Sequence, residues 1–201
     1  MKFVFDDLPV DASFNPIEPE WKKIWAPRPV YLALFGLVLA IATCHLLGKL
    51  FLPPVRIGIT YWTLIVAFAL YGALIPASLL VEWLVLPRAG TKTVGWSRNK
   101  HILFLHHNGV IYRNRLIFVR VSPFLVFCLL PILVIWFFNL GPSPLQVVPL
   151  ILGIFCGADL SKAILLLALV PNRAMIRAFG WNLYWSDGSA PPNKPLELTD
   201  Q

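Results

Sequence analysis

Four charged side chains interrupt otherwise apolar stretches of this sequence. Asp159 and Lys162 lie in "GADLSKAILLLALVP", residues 157–171, and Glu82 and Arg120 lie in two other apolar runs. A charge in a membrane interior is costly unless it is paired, and it therefore indicates a functional site by default. Carboxylates in such a place can bind a metal ion or carry a proton, and acid–base pairs can hold helices together.

The rise of a helix predicts which of these groups can meet. At about 1.5 Å per residue, Glu82 and Arg120 each lie about 6 Å inside their runs, at matching depths for a pair. Lys162 lies about 12 Å deep and Asp159 about 16 Å, and Ser78 lies at a depth close to that of Lys162. The sequence therefore predicts one intramembrane polar cluster, the candidate site, made of Ser78, Glu82, Arg120, Asp159 and Lys162.

Two interpretations of this cluster stay open. In the structural one, Asp159 and Lys162 share a helix face and neutralise each other, and Lys162 extends toward the cytoplasm. Glu82 and Arg120 then join two helices. In the functional one, the same residues form a buried polar site for a ligand, an ion or a substrate.

The composition places the cluster in a membrane. The chain has 201 residues, of which 58% are hydrophobic and 13% charged, whereas soluble domains contain roughly 45–50% apolar and roughly 25% charged residues. The net charge is +7, and most of the basic residues lie in segments between the apolar runs. This distribution is typical of cytoplasmic loops beside anionic lipid headgroups. This pattern excludes a soluble nucleic-acid-binding protein and names the lipid bilayer as a partner.

Four apolar runs are long enough to cross a bilayer, which takes about 20 residues. They cover 30–52, 57–86, 116–138 and 146–170, with Pro76 as a kink point in the second. The prediction is an all-α integral membrane protein with four transmembrane helices, since lipid gives backbone amides no other partner. Lysine and arginine are concentrated before the first run, between the second and third, and after the fourth. The pattern predicts a multi-pass protein of the bacterial cytoplasmic (inner) membrane with both termini in the cytoplasm.

The segments outside the runs complete the predicted organisation. Residues 1–28 form a cytoplasmic N-terminal segment without a secretory signal, 29–185 the membrane domain, and 186–201 a disordered tail. The loop 88–115 is expected to contain a small β-hairpin that turns at Asn108-Gly109. The sequence "WNLYW" at 181–185 is expected to add another short strand.

The remaining metal-ligating residue types give little signal. His101, His106 and His107 fall in the predicted hairpin, where strand alternation directs them to different sides, so they do not form a metal site by themselves. The three cysteines each lie in an apolar run without a paired spacing. They are predicted to be small buried packing residues.

The order of features resembles a family of zincin-like peptidases, small bacterial membrane proteins that are distantly similar to site-2-type intramembrane metalloproteases. The resemblance covers roughly residues 57–188, and its most specific parts are "RNRLIFVRVSPFLVF" and the "GAD" of the last run. In that family a helix carries H-E-x-x-H, in which two histidines bind zinc and the glutamate activates water. A late-helix aspartate is the third ligand.

This chain departs from the family at the motif itself. Counting back from Pro87 places the motif on "SLLVE", with Ser78 and Glu82 at the two histidine positions and Leu79 at the catalytic glutamate. Residues 57–87 contain no histidine in any register. The resemblance therefore implies a member without an intact metallopeptidase centre, with no catalytic residue and no expected cofactor. Lys162 would then take the place of a cation beside Asp159.

Three functions follow as hypotheses. The leading one is a non-catalytic membrane protein that binds or scaffolds another membrane protein. The first alternative is an atypical membrane metallopeptidase, in which Glu82 and Asp159, with His101 or His106, bind a metal such as zinc. The second alternative is a small proton-coupled carrier that uses Asp159 as its proton site, although the chain has no inverted repeat.

Overall fold

The computed structural model describes residues 2–4, 21–24, 29–51, 61–87, 90–97, 102–139, 147–179 and 182–187. The chain forms two compact units. The first, here called the sheet unit, comprises Met1–Trp25, Leu86–Leu116 and Leu166–Gln201. The second, the helical unit, comprises Ala26–Val85 and Ile117–Leu165.

Most of the apolar sequence is helical. The helices are α1 (Pro29–Phe51), α2 (Tyr61–Val85), α3 (Arg113–Phe124), α4 (Leu130–Phe137), α5 (Val147–Phe155) and α6 (Gly157–Leu169). A π-helical segment, Leu125–Leu129, joins α3 to α4, so that Arg113–Phe137 is one continuous helix. Helices α5 and α6 meet at a bend of 50°. Both irregularities lie in long apolar helices, where π-turns and breaks frequently accompany function.

Serine compensates for one proline inside these helices. Pro123 has no N–H with which to bond the carbonyl of Val119, four residues earlier. The Ser122 hydroxyl donates to that carbonyl at 2.7 Å. In the π-turn that follows, the Leu130 N–H donates to the Leu125 oxygen, five residues earlier. The carbonyl that Pro123 leaves without its usual donor therefore stays bonded inside an apolar helix, as lipid requires.

Small side chains let α1 approach the bent pair closely. Gly36, Ala40, Cys44 and Gly48 recur every fourth residue and so form one face of α1. A Cβ on Gly157 would overlap the Gly36 carbonyl oxygen and lie 2.8 Å from the Ala40 Cβ. A Cβ on Gly153 would lie 2.7 Å from the Cys44 sulfur. The two backbones thus run antiparallel with no room for larger residues, a common solution in membrane helix packing.

The cysteines belong to the core of the helical unit. Cys44, Cys128 and Cys156 are free and buried, and they pack with Leu74, Phe124 and Ile132. The Cys44 and Cys128 sulfurs lie 3.9 Å apart. The prediction that the three cysteines are small buried packing residues is confirmed.

Two sheets make up the regular structure of the sheet unit. The first has the order β1 (Lys2–Val4), β3 (Thr91–Ser97), β4 (Ile102–Asn108), with β1 parallel to β3 and β4 antiparallel to it. The second is antiparallel, with the order β2 (Lys22–Lys23), β7 (Asn182–Ser186), β6 (Met175–Phe179), β5 (Ile111–Tyr112). Each sheet therefore combines an N-terminal strand with strands from much later in the chain.

The predicted all-α class with four transmembrane helices is wrong. The structure contains two sheets, and two described helices are long and apolar enough to span a membrane, Val30–Phe51 and Arg113–Phe137. The bent pair Val148–Phe155 and Gly157–Leu169 makes a third span if the two helices are counted as one. In the second run the described apolar stretch is the shorter Gly72–Val85. The length and apolar composition of these helices identify the chain as a membrane protein. Only 17% of the α1 window is buried within the protein, which leaves most of its apolar surface for lipid.

The loop 88–115 contains an antiparallel strand pair, β3 with β4, but the turn predicted at Asn108-Gly109 is wrong. Strand β4 ends at Asn108 and pairs backward with β3, whereas β5 begins at Ile111 and pairs with β6. The Asn-Gly pair therefore separates the two sheets, because strand pairing over a long sequence distance outweighed the local turn preference. The strand predicted at 181–185 is confirmed as β7, Asn182–Ser186. The predicted disordered tail lies, from residue 188 onward, outside the described residues.

Candidate functional site

Four charged side chains form a continuous chain of contacts within the helical unit. Arg120 Nη1 lies 2.9 Å from Glu82 Oε1 and 3.0 Å from Oε2, and 3.9 Å from Asp159 Oδ1. Lys162 Nζ donates to the same Asp159 oxygen at 2.9 Å. We call Glu82, Arg120, Asp159 and Lys162 the charged chain. The pair predicted between Glu82 and Arg120 is present, and Arg120 also joins it to the α6 pair.

The charged chain is closed at one end and open at the other. The Glu82 side chain is 7% exposed, Arg120 26%, Asp159 23% and Lys162 46%. Going from the closed to the open end, the charges alternate as acid, base, acid and base, so the ionised chain has no net charge. Opposite charges at such distances are what makes ionised groups tolerable in an apolar environment.

Three helices position these groups. Glu82 lies in the last turn of α2, and Arg120 lies in the second half of α3. Asp159 lies in the first turn of α6, where the bend after α5 starts a new helix and its backbone N–H donates to the Cys156 oxygen at 3.1 Å. A carboxylate is favoured in the first turn of a helix because the free N–H groups there carry partial positive charge. The bend thus creates the helix start that holds Asp159.

The structural interpretation expected the Lys162 side chain to extend toward the C-terminal end of α6. It does not. Its ammonium donates to Asp159, three residues earlier on the same face. Side chains of a helix lean toward its N-terminus, so this contact needs no unusual conformation. The bond to Asp159 therefore keeps the ammonium within the apolar length of the helix.

Ser78 is the one predicted member whose hydrogen bond lies elsewhere. Its hydroxyl donates to the Ile75 oxygen at 2.9 Å, within α2. Serine commonly bonds to the preceding turn of its own helix. The structure thus connects four of the five predicted site residues and gives Ser78 a local backbone partner.

The carboxylates are engaged by basic side chains instead of facing other metal ligands. Among the described residues, no group of three or more His, Cys, Asp or Glu side chains could hold a metal ion. Glu82 and Asp159 are both next to Arg120, and Asp159 is next to Lys162 as well. A zinc site of three protein ligands and a water needs open carboxylate oxygens or histidines at this place. The residues present do not fit such a metal.

The histidines named in the sequence belong to the other unit. His106 and His107 lie in β4, opposite Thr93 and Lys92, and both are buried. Being adjacent on a strand, they occupy opposite faces. His101 lies outside the described residues.

A buried basic group outside the charged chain, Arg113, was not predicted from the sequence. It is 7% exposed, its Nη1 donates to Asn172 Oδ1, and its Nη2 donates to the Leu167 oxygen at 3.0 Å. The residue that would bond this carbonyl in a continuing helix is Pro171, which has no N–H. Arg113 therefore supplies the missing donor at the end of α6. The proline two residues beyond α6 was the available sequence signal, although it does not say which donor replaces the N–H.

Comparison with known proteins gives no match: no protein-family model, no curated protein and no solved structure is similar to this chain.

Proposed function

We propose that this chain is a non-catalytic membrane protein that binds or scaffolds another membrane-embedded chain through its helical unit. The observation that carries the proposal is the position of Arg120, which lies against Glu82 and within 4 Å of Asp159. With Lys162 on the other side of Asp159, the acids that a metal would need already have basic partners.

The chemistry of the site supports a binding role over hydrolysis. Hydrolysis by a zincin needs a metal to activate water and a free carboxylate to take its proton. Leu79 occupies the position that the resemblance gives to that base, and it has no proton-accepting group. Interhelical polar contacts of the kind made by Glu82 and Arg120 instead stabilise helix packing in membranes.

Localisation and relationship belong to the same proposal. The excess of basic residues in the segments before the first run, at 88–115 and after the fourth supports a cytoplasmic-membrane protein with both termini in the cytoplasm. The zincin-like resemblance rests on the quoted sequence stretches alone. It would make this chain a member that carries Arg120 and Lys162 where active relatives carry a metal.

The metal content of the purified protein tests the proposal. We expect wild-type protein in detergent to hold far less than one metal ion per chain by mass spectrometry, and Glu82→Gln and Asp159→Asn to give the same value. About one zinc per chain that is lost in both variants would overturn the proposal in favour of a metallopeptidase.

Proton flux tests the other alternative. In vesicles with an imposed pH gradient, we expect the same flux for wild type and for Asp159→Asn, because Asp159 is held between two basic side chains. A gradient-driven flux that disappears in Asp159→Asn would contradict the scaffold function and favour a carrier.

A further inference from the structure

The open end of the charged chain lies on an apolar surface. Lys162 is 46% exposed and Asp159 23%. Many side chains exposed on the helices of the helical unit are large and apolar, including Leu80, Leu84 and Phe118. A half-exposed ion pair among lipid-facing side chains is a costly surface unless another polar group covers it.

Lipid headgroups do not account for this exposure. A lysine in a span usually extends to the nearer interface. From Lys162 to the end of α6 at Leu169 is about 10 Å of helix, yet the ammonium donates back to Asp159. An ammonium has three hydrogens to donate, and within the described residues its hydrogen bond goes to Asp159. The geometry suits a further acceptor that arrives within the membrane.

We propose that the occupant of this surface is a second copy of the chain, packed about a two-fold axis through the α6 face that carries Ala158, Asp159 and Lys162. The face displays one acid and one base three residues apart. In a two-fold interface every contact is made twice, so a base that contacts the acid of the second copy has its own acid contacted by the base of that copy. Each Lys162 can then reach the Asp159 of the second copy. The acid–base alternation would continue from one copy into the next without any change of net charge.

The local shape suits such an interface. Ala158 is exposed one helical turn before Lys162, and small residues let membrane helices come close enough for polar side chains to bond across the interface. This inference rests on the proposed binding function and names its partner. A helix of another protein with an acid and a base would satisfy the same face, and the test below separates that occupant from a second copy.

Energy transfer between two fluorescently labelled populations in phosphatidylcholine vesicles measures the association. We expect the purified wild type to form dimers that dissociate as lipid is added, and Lys162→Gln to raise the dissociation constant about tenfold. Lys49→Gln is the matched control, since Lys49 is an exposed lysine of the same unit at the end of α1. We expect it to match wild type. A wild type that is monomeric at every dilution, or a Lys162→Gln variant that dimerises as well as wild type, would overturn the inference and favour another protein or a lipid as the occupant.

Cysteine cross-linking keeps the inference testable if Lys162→Gln fails to fold. Oxidation of Ala158→Cys in membranes should yield a covalent dimer, because Ala158 would lie near the two-fold axis. Val38→Cys, at a 66% exposed position of α1, should stay monomeric, as should the wild type with its buried cysteines. Equal cross-linking at both positions would contradict the interface.

The two proposals fail in different ways. A dimer that contains stoichiometric zinc would refute the non-catalytic function and leave the interface standing. A metal-free monomer would refute the interface and leave the non-catalytic function standing.

Discussion

Arg120 in the helical unit and Arg113 in the sheet unit both donate hydrogen bonds to oxygen atoms, but the charge carried by those oxygens differs. In the helical unit, Arg120 lies against the carboxylate of Glu82 and near that of Asp159. In the sheet unit, Arg113 donates to two neutral oxygens, the side-chain amide of Asn172 and the backbone carbonyl of Leu167. The first arrangement balances whole charges, and the second relies on the partial negative charge at the end of a helix.

This difference indicates what each environment demands. Arg120 lies in a helix that is long and apolar enough to span a membrane, and an unbalanced charge there would lack both water and counter-ion. Arg113 has a different task, which is to bond a carbonyl that Pro171 leaves without a donor. An arginine in a sequence like this one can therefore mark either a charge network or a helix end.

The largest expected effect is the loss of Arg120. Arg120→Met leaves the Glu82 carboxylate, whose side chain is 7% exposed, without its basic partner. Breaking a buried pair in this way costs about 3–5 kcal/mol of unfolding free energy. Denaturant unfolding in mixed micelles, followed by circular dichroism, measures it.

The double variant Glu82→Leu/Arg120→Met is the control for that experiment. Because it removes both charges together, it should recover most of the lost stability. A double variant as unstable as Arg120→Met would show that Arg120 acts by packing, and the contrast between the two arginines would then be lost.

The next largest loss of stability is expected where α1 and α6 pack closely, at Gly157. Gly157→Ala would push its Cβ into the Gly36 carbonyl, and overpacking of this kind costs about 1–3 kcal/mol. Gly72→Ala is matched to it, since no atom of the described residues lies within 4 Å of a Cβ at that position, and it should be neutral or gain up to about 1 kcal/mol through helix propensity. Thermal unfolding in one detergent compares the two. A Gly157→Ala variant as stable as Gly72→Ala would refute the tight contact of α1 with α6.

An effect of the same size as that of Gly157→Ala is expected at Arg113. Arg113→Met removes two hydrogen bonds to neutral oxygens, and about 1–3 kcal/mol should be lost, less than for Arg120→Met. Hydrogen exchange should also show faster opening at the C-terminal end of α6, where the Leu167 carbonyl loses its donor. Lys23→Gln, at an exposed strand position of the same unit, should change neither quantity. A loss at Arg113 as large as that at Arg120 would mean that neutral oxygens stabilise a buried arginine as well as carboxylates do.

Membrane character and local charge pairing were predictable from the sequence. Hydrophobic runs identify helices that suit lipid, and the spacing of Asp159 and Lys162 on one helix specifies their contact because both follow from the geometry of a single helix. The depth argument also paired Glu82 with Arg120. The cysteines were correctly predicted to be buried, since each lies inside a run.

The tertiary structure decided the rest. The runs did not show which of them form long straight helices, because the bend between α5 and α6 depends on how the helices pack. The two sheets join strands that are far apart in the sequence, as β1 with β3 and β2 with β7, and no local pattern encodes such pairings. Arg120 reaches Asp159, and Arg113 reaches the end of α6, only because separate helices are brought together. The sequence by itself therefore determined which groups are charged and which of them share a helix face, and long-range packing determined which groups on different helices meet.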